Sequence, residues 1–460
     1  MKAFKIKHIH FVGIGGIGMS GMAEVLLNQG YIVSGSDRQL SDVTDRLSSL
    51  GATIYEGHAE SNVAGADVVV YSSAVQADNE ELVGAVKQGI PTIKRAEMLA
   101  ELMRMKYGIA VAGTHGKTTT TSMVGSVVTE GGLKPTVIIG GIVKAFASNA
   151  VLGESDYMVA EADEYDKSFL RLNPTIAVIT NIEPEHLECY DNSFQDLKEA
   201  FIEFANKIPF YGNVLLCLDE RFNQEILPDL KWNVITYGFL PHADLQIYDF
   251  QQKGLKSVFK IRYKDEQLGQ FTLHIPGVHN VKNAAAAIGV GKILDIPVAK
   301  IKRAISAFTG VYRRFELKYE EHGITVIDDY AHHPSEIQNT LKTARNVHGD
   351  GKIIAIFQPH LYSRTQRFLS EFAHSFFEVD ELIVTDIYPA REKPIPGITS
   401  ELLVEEIVKI GHKNCTYLSD FNEIRDYLKN HISEGDMVIT LGAGSINKLS
   451  NMIKETLEKK

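Results

Sequence analysis

The 460-residue chain has few cysteines, a single tryptophan and no long apolar run. Its thiols, Cys189, Cys217 and Cys415, are too few and too far apart for a disulfide scaffold or a thiolate metal site. Every apolar stretch is shorter than the roughly 18–20 residues that cross a bilayer. These absences predict a cytoplasmic protein without a membrane span, in which the cysteines are structural.

An excess of positive charge is also missing. Lys and Arg number 47 against 58 Asp and Glu, which gives a formal net charge of −11. Nucleic-acid binding requires clustered cations, and no such cluster occurs, so we expect no nucleic-acid partner. The hydrophobic fraction of 44% and charged fraction of 23% are typical of a folded globular protein.

The arrangement of strands and glycine turns predicts an α/β fold with three domains. Short β-branched runs, such as Ile9 to Val12 and Ile109 to Ala112, lead into glycine turns and then helix-period segments, which is typical of parallel βα units. From 245 to 275 the pattern changes to alternating strands, which predicts an antiparallel insert. We expect a Rossmann-like domain over 1–106, a P-loop domain with the insert over 107–312 and a second Rossmann-like domain over 313–460.

The first glycine turn contains a full G-x-G-x-x-G motif between a strand and a helix. Bare backbone at such a turn allows a diphosphate to approach the N-terminus of the helix. Asp37 ends the next strand, where an acidic residue can bind a ribose hydroxyl. This motif alone also fits an NAD-dependent oxidoreductase. Its residues are Gly13, Gly15, Gly16, Gly18 and Asp37.

The second glycine turn ends in Gly-Lys-Thr and predicts a phosphate-binding loop. Backbone amides and Lys117 would contact phosphates, and the Thr118 hydroxyl would bind Mg²⁺. The loop is a shortened variant, because Val111 stands where the standard pattern has its first glycine. Its residues are Gly113, Thr114, His115, Gly116, Lys117, Thr118 and Thr119.

Carboxylates at the ends of neighbouring strands are the expected metal ligands beside this loop. Glu161 follows the strand Tyr157 to Ala160 and is the first candidate. Asp163, Glu164 and Asp166 lie in the same loop, so the sequence leaves the choice open. His186, after the strand Ile176 to Thr180, is a further candidate ligand, although a lone histidine is more often structural.

The last domain places polar residues after two of its strands. Asp329 and His332 follow one strand, and Arg364 and Arg367 follow the next. Two arginines three residues apart share one face of a helix, where they can hold an anionic group. Arg314 lies at the presumed hinge, at the start of this domain.

Taken together, these motifs resemble the Mur ligase family over nearly the whole chain. The segments that carry the resemblance are Gly113 to Thr121, Glu161 to Glu164, His186, Asn280, Asn283, Arg314 and Asp329 to Pro334. The first glycine motif, the Gly-Thr-His-Gly-Lys-Thr form of the loop and Gln358-Pro359-His360 are similar to the members that add L-alanine.

The resemblance implies an ADP-forming ligase that adds L-alanine to UDP-N-acetylmuramate through an acyl phosphate. The first domain would bind UDP, the second ATP, and the third would close over both. Lys117 would contact ATP, while Thr118, Glu161 and His186 would serve magnesium. Other implied contacts are Asn280 and Asn283 with adenine, Arg314 and Asp329 with the nucleotide, and His332, Arg364 and Arg367 with the reacting end of the substrate.

Alternatives remain open from the sequence. Within the family, the nearest is a ligase that attaches recycled murein tripeptide to the same UDP-sugar. Outside it, an NAD-dependent oxidoreductase explains the first glycine motif but not the second, and a non-catalytic nucleotide switch explains only the second. The expected assembly is a monomer or a homodimer.

Overall fold

The structure is a computed structural model that describes residues 6–72, 75–143, 148–185, 187–390 and 392–458. It divides into two compact units. The first comprises Met1–Phe250, Val258–Leu273 and His279–Thr309, and the second comprises Gln251–Ser257, His274–Val278 and Gly310–Lys460.

A five-stranded parallel sheet begins the first unit, with strand order β3-β2-β1-β4-β5. Because β2 and β4 lie on opposite sides of β1, the strand order reverses at the end of β1, where α/β folds form a binding crevice. The first glycine motif follows β1 directly. The elements are β1 (His8–Val12), α1 (Ile17–Asn28), β2 (Ile32–Asp37), α2 (Asp42–Ser49), β3 (Thr53–Glu56), β4 (Val68–Tyr71), α3 (Glu80–Lys87), β5 (Thr92–Lys94) and α4 (Arg95–Arg104).

The central sheet has ten strands in the order β15-β14-β13-β12-β11-β10-β6-β9-β7-β8. Its middle strands are apolar and buried, as expected for parallel strands covered on both faces. The elements are β6 (Tyr107–Ala112), α5 (Lys117–Glu130), β7 (Thr136–Val143), β8 (Ser148–Val151), β9 (Tyr157–Glu161), β10 (Ile176–Ile179), α6 (Phe194–Asn206), β11 (Asn213–Cys217), α7 (Arg221–Ile226), β12 (Asn233–Gly238), β13 (Leu245–Lys253), β14 (Lys256–Tyr263), β15 (Glu266–Leu273), α8 (Val278–Ile293) and α9 (Val298–Ala307).

The antiparallel insert is confirmed as the three strands β13, β14 and β15. They are neighbours in the sheet and follow one another through short turns, at 254–255 and 264–265. Connections of this length join antiparallel strands only, because a parallel pair needs a long crossover. The insert extends the central sheet beyond β12, on the side away from β6 and β10.

The second unit contains a six-stranded sheet in the order β16-β17-β21-β18-β19-β20. It is parallel except for β16, which pairs antiparallel with β17. Sequence analysis did not predict β16, because its residues ELKYEE are too polar to stand out as a strand. The elements are β16 (Glu316–Glu321), β17 (Ile324–Asp329), α10 (Pro334–His348), β18 (Ile353–Phe357), α11 (Tyr362–Arg367), α12 (Leu369–Ala373), β19 (Glu381–Val384), α13 (Ser400–Lys409), β20 (Cys415–Tyr417), α14 (Phe421–His431), β21 (Met437–Leu441) and α15 (Asn447–Leu457).

Within the first unit, the N-terminal and central sheets are joined by packing and by charge. Helix α1 packs against β7 and β8 of the central sheet. At the same junction the Arg95 guanidinium lies 3.7 Å from the Asp163 carboxylate, and that of Arg171 lies 2.9 Å from Glu97. The acidic loop after β9 is therefore tied to the N-terminal domain.

Cys189, Cys217 and Cys415 are all free thiols, and burial raises the pKa of Cys217 and of Cys415 to about 12. Because the thiolate is the reactive form, these raised pKa values support a structural role for Cys217 and Cys415. Among the described residues, no helix has the length and apolarity needed to cross a membrane.

Candidate functional site

The phosphate-binding loop lies where the sequence predicts it, between β6 and α5. Gly113 and Gly116 both adopt positive φ angles, of 141° and 80°. A side chain at Gly113 would overlap the Thr180 hydroxyl, so only glycine fits there. Gly116 is the N-cap of α5, and the free amides of that helix N-terminus face the loop, which suits an anion.

Lys117 is held inside this loop by several oxygen atoms. Its ammonium donates to the Gly113 and Thr114 carbonyls at 2.6 and 3.1 Å and to Glu164 Oε2 at 2.8 Å. Burial by itself would lower the pKa of Lys117, but the Glu164 and Asp163 carboxylates outweigh it and raise the pKa. The lysine is therefore a fixed cation at the position where phosphates would bind.

Glu161 ends β9 beside the start of α5. Its Oε1 accepts the Gly140 N–H at 2.8 Å, and its carboxylate also accepts from the Thr118 hydroxyl. Burial raises the pKa of Glu161, although the Gly140 amide, Lys117 and Thr118 partly oppose this. A buried carboxylate next to a hydroxyl is a hard oxygen donor set that suits Mg²⁺.

The other acidic residues of this loop have different partners. Glu164 binds Lys117, while Asp163 and Asp166 accept the backbone N–H groups of Tyr165 and Ser168 at 3.2 and 3.1 Å. This division of roles favours Glu161 among the four candidates. Its role as a magnesium ligand stays a prediction.

The loop after β10 is bound tightly to the phosphate-binding loop, and sequence analysis missed this. Asn181 accepts the His115 N–H at 2.7 Å and donates to the His115 carbonyl at 3.1 Å. The His115 imidazole Nε2 lies 3.3 Å from Glu183 and 3.0 Å from Glu185. His186, the ligand predicted for this loop, lies outside the described residues.

Asn280 and Asn283 lie one turn apart on α8 and are hydrogen-bonded to each other at 3.4 Å. Asn283 packs against the phosphate-binding loop, since a Cβ on Gly116 would lie 2.9 Å from its Oδ1. Both side chains are buried. The structure thus places Asn283 beside the phosphate-binding loop. The contact of Asn280 and Asn283 with adenine stays a prediction.

The first glycine motif folds back onto Asp37. The Gly15 N–H donates to Asp37 Oδ2 at 2.9 Å, which holds the glycine turn against the end of β2. Beneath it, the fully buried Glu81 carboxylate accepts from Ser36 at 2.5 Å and Asn62 at 2.6 Å. Asp37 therefore shapes the loop. Its contact with a ribose hydroxyl stays a prediction.

In the second unit, Asp329 ties together two turns of the backbone. Its carboxylate accepts the Phe315 N–H at 2.6 Å and the Ala331 N–H at 2.8 Å. Burial raises its pKa to about 6, against the lowering effect of Arg314 and of these two amides. The Arg314 guanidinium stacks on Tyr330 at 5.2 Å. Asp329 thereby supports the segment that carries Arg314.

Two histidines and an arginine cluster beside this segment. The His332 and His360 rings lie 5.7 Å apart, and Arg364 contacts His360 Nδ1 at 3.3 Å. Burial lowers the pKa of each histidine to about 4, helped by the charge of Arg364. Arg367 stacks on Phe368 instead. The structure therefore brings His332 together with Arg364, and adds His360 to the predicted group.

Arg313 has a structural role at the end of β21 that sequence analysis missed. It contacts Asp328 at 3.3 Å and donates to the carbonyls of Gly442 and Gly444. The glycine turn at 442–445, to which no role was assigned, is thus held against β17. The sequence shows Arg313 and Arg314 as adjacent arginines. Only the fold shows that Arg313 binds the glycine turn whereas Arg314 stacks on Tyr330.

Models of known protein families match three consecutive parts of the chain. The Mur ligase catalytic domain matches residues 8–107, the Mur ligase middle domain 111–291 and the Mur ligase glutamate ligase domain 313–444. The chain belongs to the Mur ligase family. The α/β fold with three domains is thereby confirmed, and the oxidoreductase and nucleotide-switch alternatives are set aside.

Individual relatives agree over almost the full length. The chain is 52% identical to the UDP-N-acetylmuramate–L-alanine ligase of Trichlorobacter lovleyi, covering 96% of this chain and 97% of the relative. It is also 52% identical to the ligase of the same name from Geotalea uraniireducens, covering 99% of each.

Solved structures give the same family. The UDP-N-acetylmuramate–alanine ligase MurC of Thermotoga maritima matches with a TM-score of 0.84 at 30% identity, over 98% of this chain and 99% of that one. A murein peptide ligase from Psychrobacter arcticus matches with a TM-score of 0.71 at 25% identity, over 99% of each chain.

Proposed function

We propose that this Mur ligase joins L-alanine to the muramyl carboxylate of UDP-N-acetylmuramate, with conversion of ATP to ADP and phosphate, in peptidoglycan precursor synthesis. The observation that carries the proposal is 52% identity over 99% of the chain to a ligase named for that reaction. Because the reaction consumes ATP, we place it in the cytoplasm.

The first step is phosphoryl transfer to the substrate carboxylate. A carboxylate oxygen attacks the γ-phosphorus of ATP, the bond to the ADP oxygen breaks, and an acyl phosphate forms. Such in-line transfer depends on positioning and on neutralising charge rather than on a covalent nucleophile. Lys117 and the amides at the start of α5 supply both functions here, since the ammonium already lies inside the loop.

Thr118 and Glu161 fit a magnesium ion, because both are oxygen donors and they contact each other. When bound, the ion would neutralise charge on the nucleotide phosphates. His186 is the third ligand that we propose. The raised pKa of Glu161 supports this assignment, since a buried carboxylate without a cation is costly to ionise.

The second step is attack of the alanine amine on the acyl carbon, followed by release of phosphate. We assign Arg364 and Arg367 to anionic groups of the substrate. His332 is a candidate acceptor for the amine proton. Its Nδ1 contacts the Tyr330 carbonyl at 2.9 Å, and a carbonyl can only accept, so Nδ1 carries the hydrogen and Nε2 has the lone pair.

Release of ADP is the direct test of this function. Purified protein is supplied with ATP, Mg²⁺ and UDP-N-acetylmuramate, together with L-alanine, with murein tripeptide or with neither. We expect ADP only with L-alanine, alongside a UDP-sugar heavier by one alanine residue. Dependence on tripeptide would instead identify a recycling ligase, and the K117A variant is the inactive control.

A further inference from the structure

We propose that His115, Glu183 and Glu185 form a binding site for a divalent transition-metal ion of the Zn²⁺ class. The three side chains present one nitrogen and two oxygen atoms that all lie within 4.8 Å of one another. This ligand set shares no residue with the proposed magnesium ligands Thr118, Glu161 and His186, and the inference does not depend on the proposed reaction.

The spacing of the three ligand atoms suits a metal ion. His115 Nε2 is 3.0 Å from Glu185 Oε1 and 3.3 Å from Glu183 Oε2. Ligands about 2.0–2.1 Å from a tetrahedral zinc ion lie about 3.3 Å from each other. Small rotations of the two glutamates would therefore admit the ion, with water as the fourth ligand.

The chemistry of the donors selects the class of ion. Calcium takes oxygen ligands, and magnesium takes chiefly oxygen ligands in an octahedral set, whereas an imidazole nitrogen favours zinc, cobalt and related ions. Two carboxylates contribute two negative charges, which a divalent cation neutralises. The side chains of His115 and Glu185 are only 17% and 12% exposed and that of Glu183 is 36% exposed, so solvent reaches mainly one of the two carboxylates.

The main chain holds the ligands in place before any ion binds. The His115 carbonyl accepts from the Thr180 hydroxyl at 2.6 Å, and the Glu183 N–H donates to the Thr114 hydroxyl at 2.8 Å. The Glu185 N–H also donates to the Glu183 carbonyl at 2.7 Å, which forms a tight backbone turn between the two glutamates. Ligands positioned in this way lose little conformational freedom on binding an ion.

A metal at this position would join two loops that both contact the nucleotide site. His115 belongs to the phosphate-binding loop, and Glu183 and Glu185 belong to the loop after β10. Occupancy should therefore raise the melting temperature of the nucleotide-free protein, since an ion that binds the folded state stabilises it by mass action.

The test uses Co²⁺ as a spectroscopic probe for the zinc class. Metal-stripped full-length protein without nucleotide is titrated with Co²⁺, and bound ions are counted by equilibrium dialysis and by visible d–d absorption. Loss of an outer-shell partner of a metal ligand weakens metal binding by roughly 10–100-fold. E185Q and H115N each change a direct ligand, so we expect a larger loss of Co²⁺ affinity in both variants. Both variants keep the backbone hydrogen bonds of the two loops.

Two controls separate this site from other causes. E199Q alters an exposed glutamate on α6 and should bind Co²⁺ as the wild type does. E161Q should retain the ion at His115, because it removes a ligand of the magnesium site only. Circular dichroism checks folding, and E183Q, which preserves side-chain shape, replaces any variant that fails to fold.

The proposal is overturned if the wild type binds no Co²⁺, or if the bound ion is lost in E161Q but kept in E185Q. The first result would mean that His115, Glu183 and Glu185 contact one another without forming a metal site. The second would assign the bound ion to the magnesium ligands.

Discussion

The ammonium of Lys117 lies 2.8 Å from the carboxylate of Glu164, which is almost fully buried. This carboxylate pairs with the ammonium group that nucleotide phosphates would bind. Binding of ATP must therefore compete with Glu164 for Lys117, and the strength of that competition can be measured.

Replacing Glu164 with glutamine should increase nucleotide affinity. The variant removes the charge that holds Lys117, and a hydrogen bond between charged groups contributes roughly 1.5–3 kcal/mol, so we expect about tenfold tighter binding of a non-hydrolysable ATP analogue. Isothermal titration calorimetry measures the change. D166N, which alters the same loop without contacting Lys117, should bind as the wild type does; equal affinities for E164Q and the wild type would contradict the competition.

Substitution of Gly113 by alanine should destabilise the first unit and abolish nucleotide binding. The new methyl group would overlap the Thr180 hydroxyl at a φ of 141°, and we expect a loss of about 3 kcal/mol in the free energy of unfolding. The matched control is G30A, where φ is 86° but no atom lies within 4 Å, so the loss should be nearer 1 kcal/mol. Urea unfolding compares the two, and equal losses would exclude overlap as the cause.

The stability of the second unit should depend on protonation of Asp329. Its pKa rises from 3.8 to about 6 on folding, so the folded chain keeps the proton to higher pH than the unfolded chain does. Stability from this group is therefore full below pH 3.8 and falls as the pH rises through about 6. Urea unfolding at pH 4.5 and pH 7 measures the fall, which should be smaller in D329N by roughly 2 kcal/mol.

The free energies of unfolding at pH 4.5 and pH 7 are compared within each protein. A loss of stability in D329N that is the same at both pH values therefore cancels. An unchanged pH dependence in D329N would show that Asp329 titrates normally in the folded state.

The histidines of the second unit should be neutral at pH 7. The pKa of His332 and of His360 falls to about 4, so their ring signals in NMR spectra should not shift between pH 8 and about 5.5. Since unfolded histidine protonates near pH 6.5, stability from both groups is lost as the pH falls from 6.5 toward 4.

Arg364 provides a test of the cause of these shifts. It is among the charges that lower the pKa of both histidines, so R364M should raise both values. R367M is the matched control, because Arg367 stacks on Phe368 and is not one of those charges. Equal titration curves for the two variants would show that the charge of Arg364 does not contribute to these shifts.

Much of the site was predictable because its signals are local. A strand that ends in glycine, followed by Lys-Thr and a helix, specifies its own geometry, and the structure places Lys117 and Thr118 accordingly. The tie between His115 and Asn181 was not predictable, since the two residues are 66 positions apart. Pairing of β6 with β10 brings their ends together, and this pairing is a property of the sheet.

The sequence by itself determined the α/β class, the antiparallel insert, the phosphate-binding loop and the family, because each depends on residue types at short, fixed spacings. The tertiary structure alone decided which acidic residue accompanies which cation, that Asp329 ties backbone turns together, and that burial lowers the pKa of His332 and His360. These properties depend on burial and on distances between residues far apart in the chain, which exist only after the strands have paired.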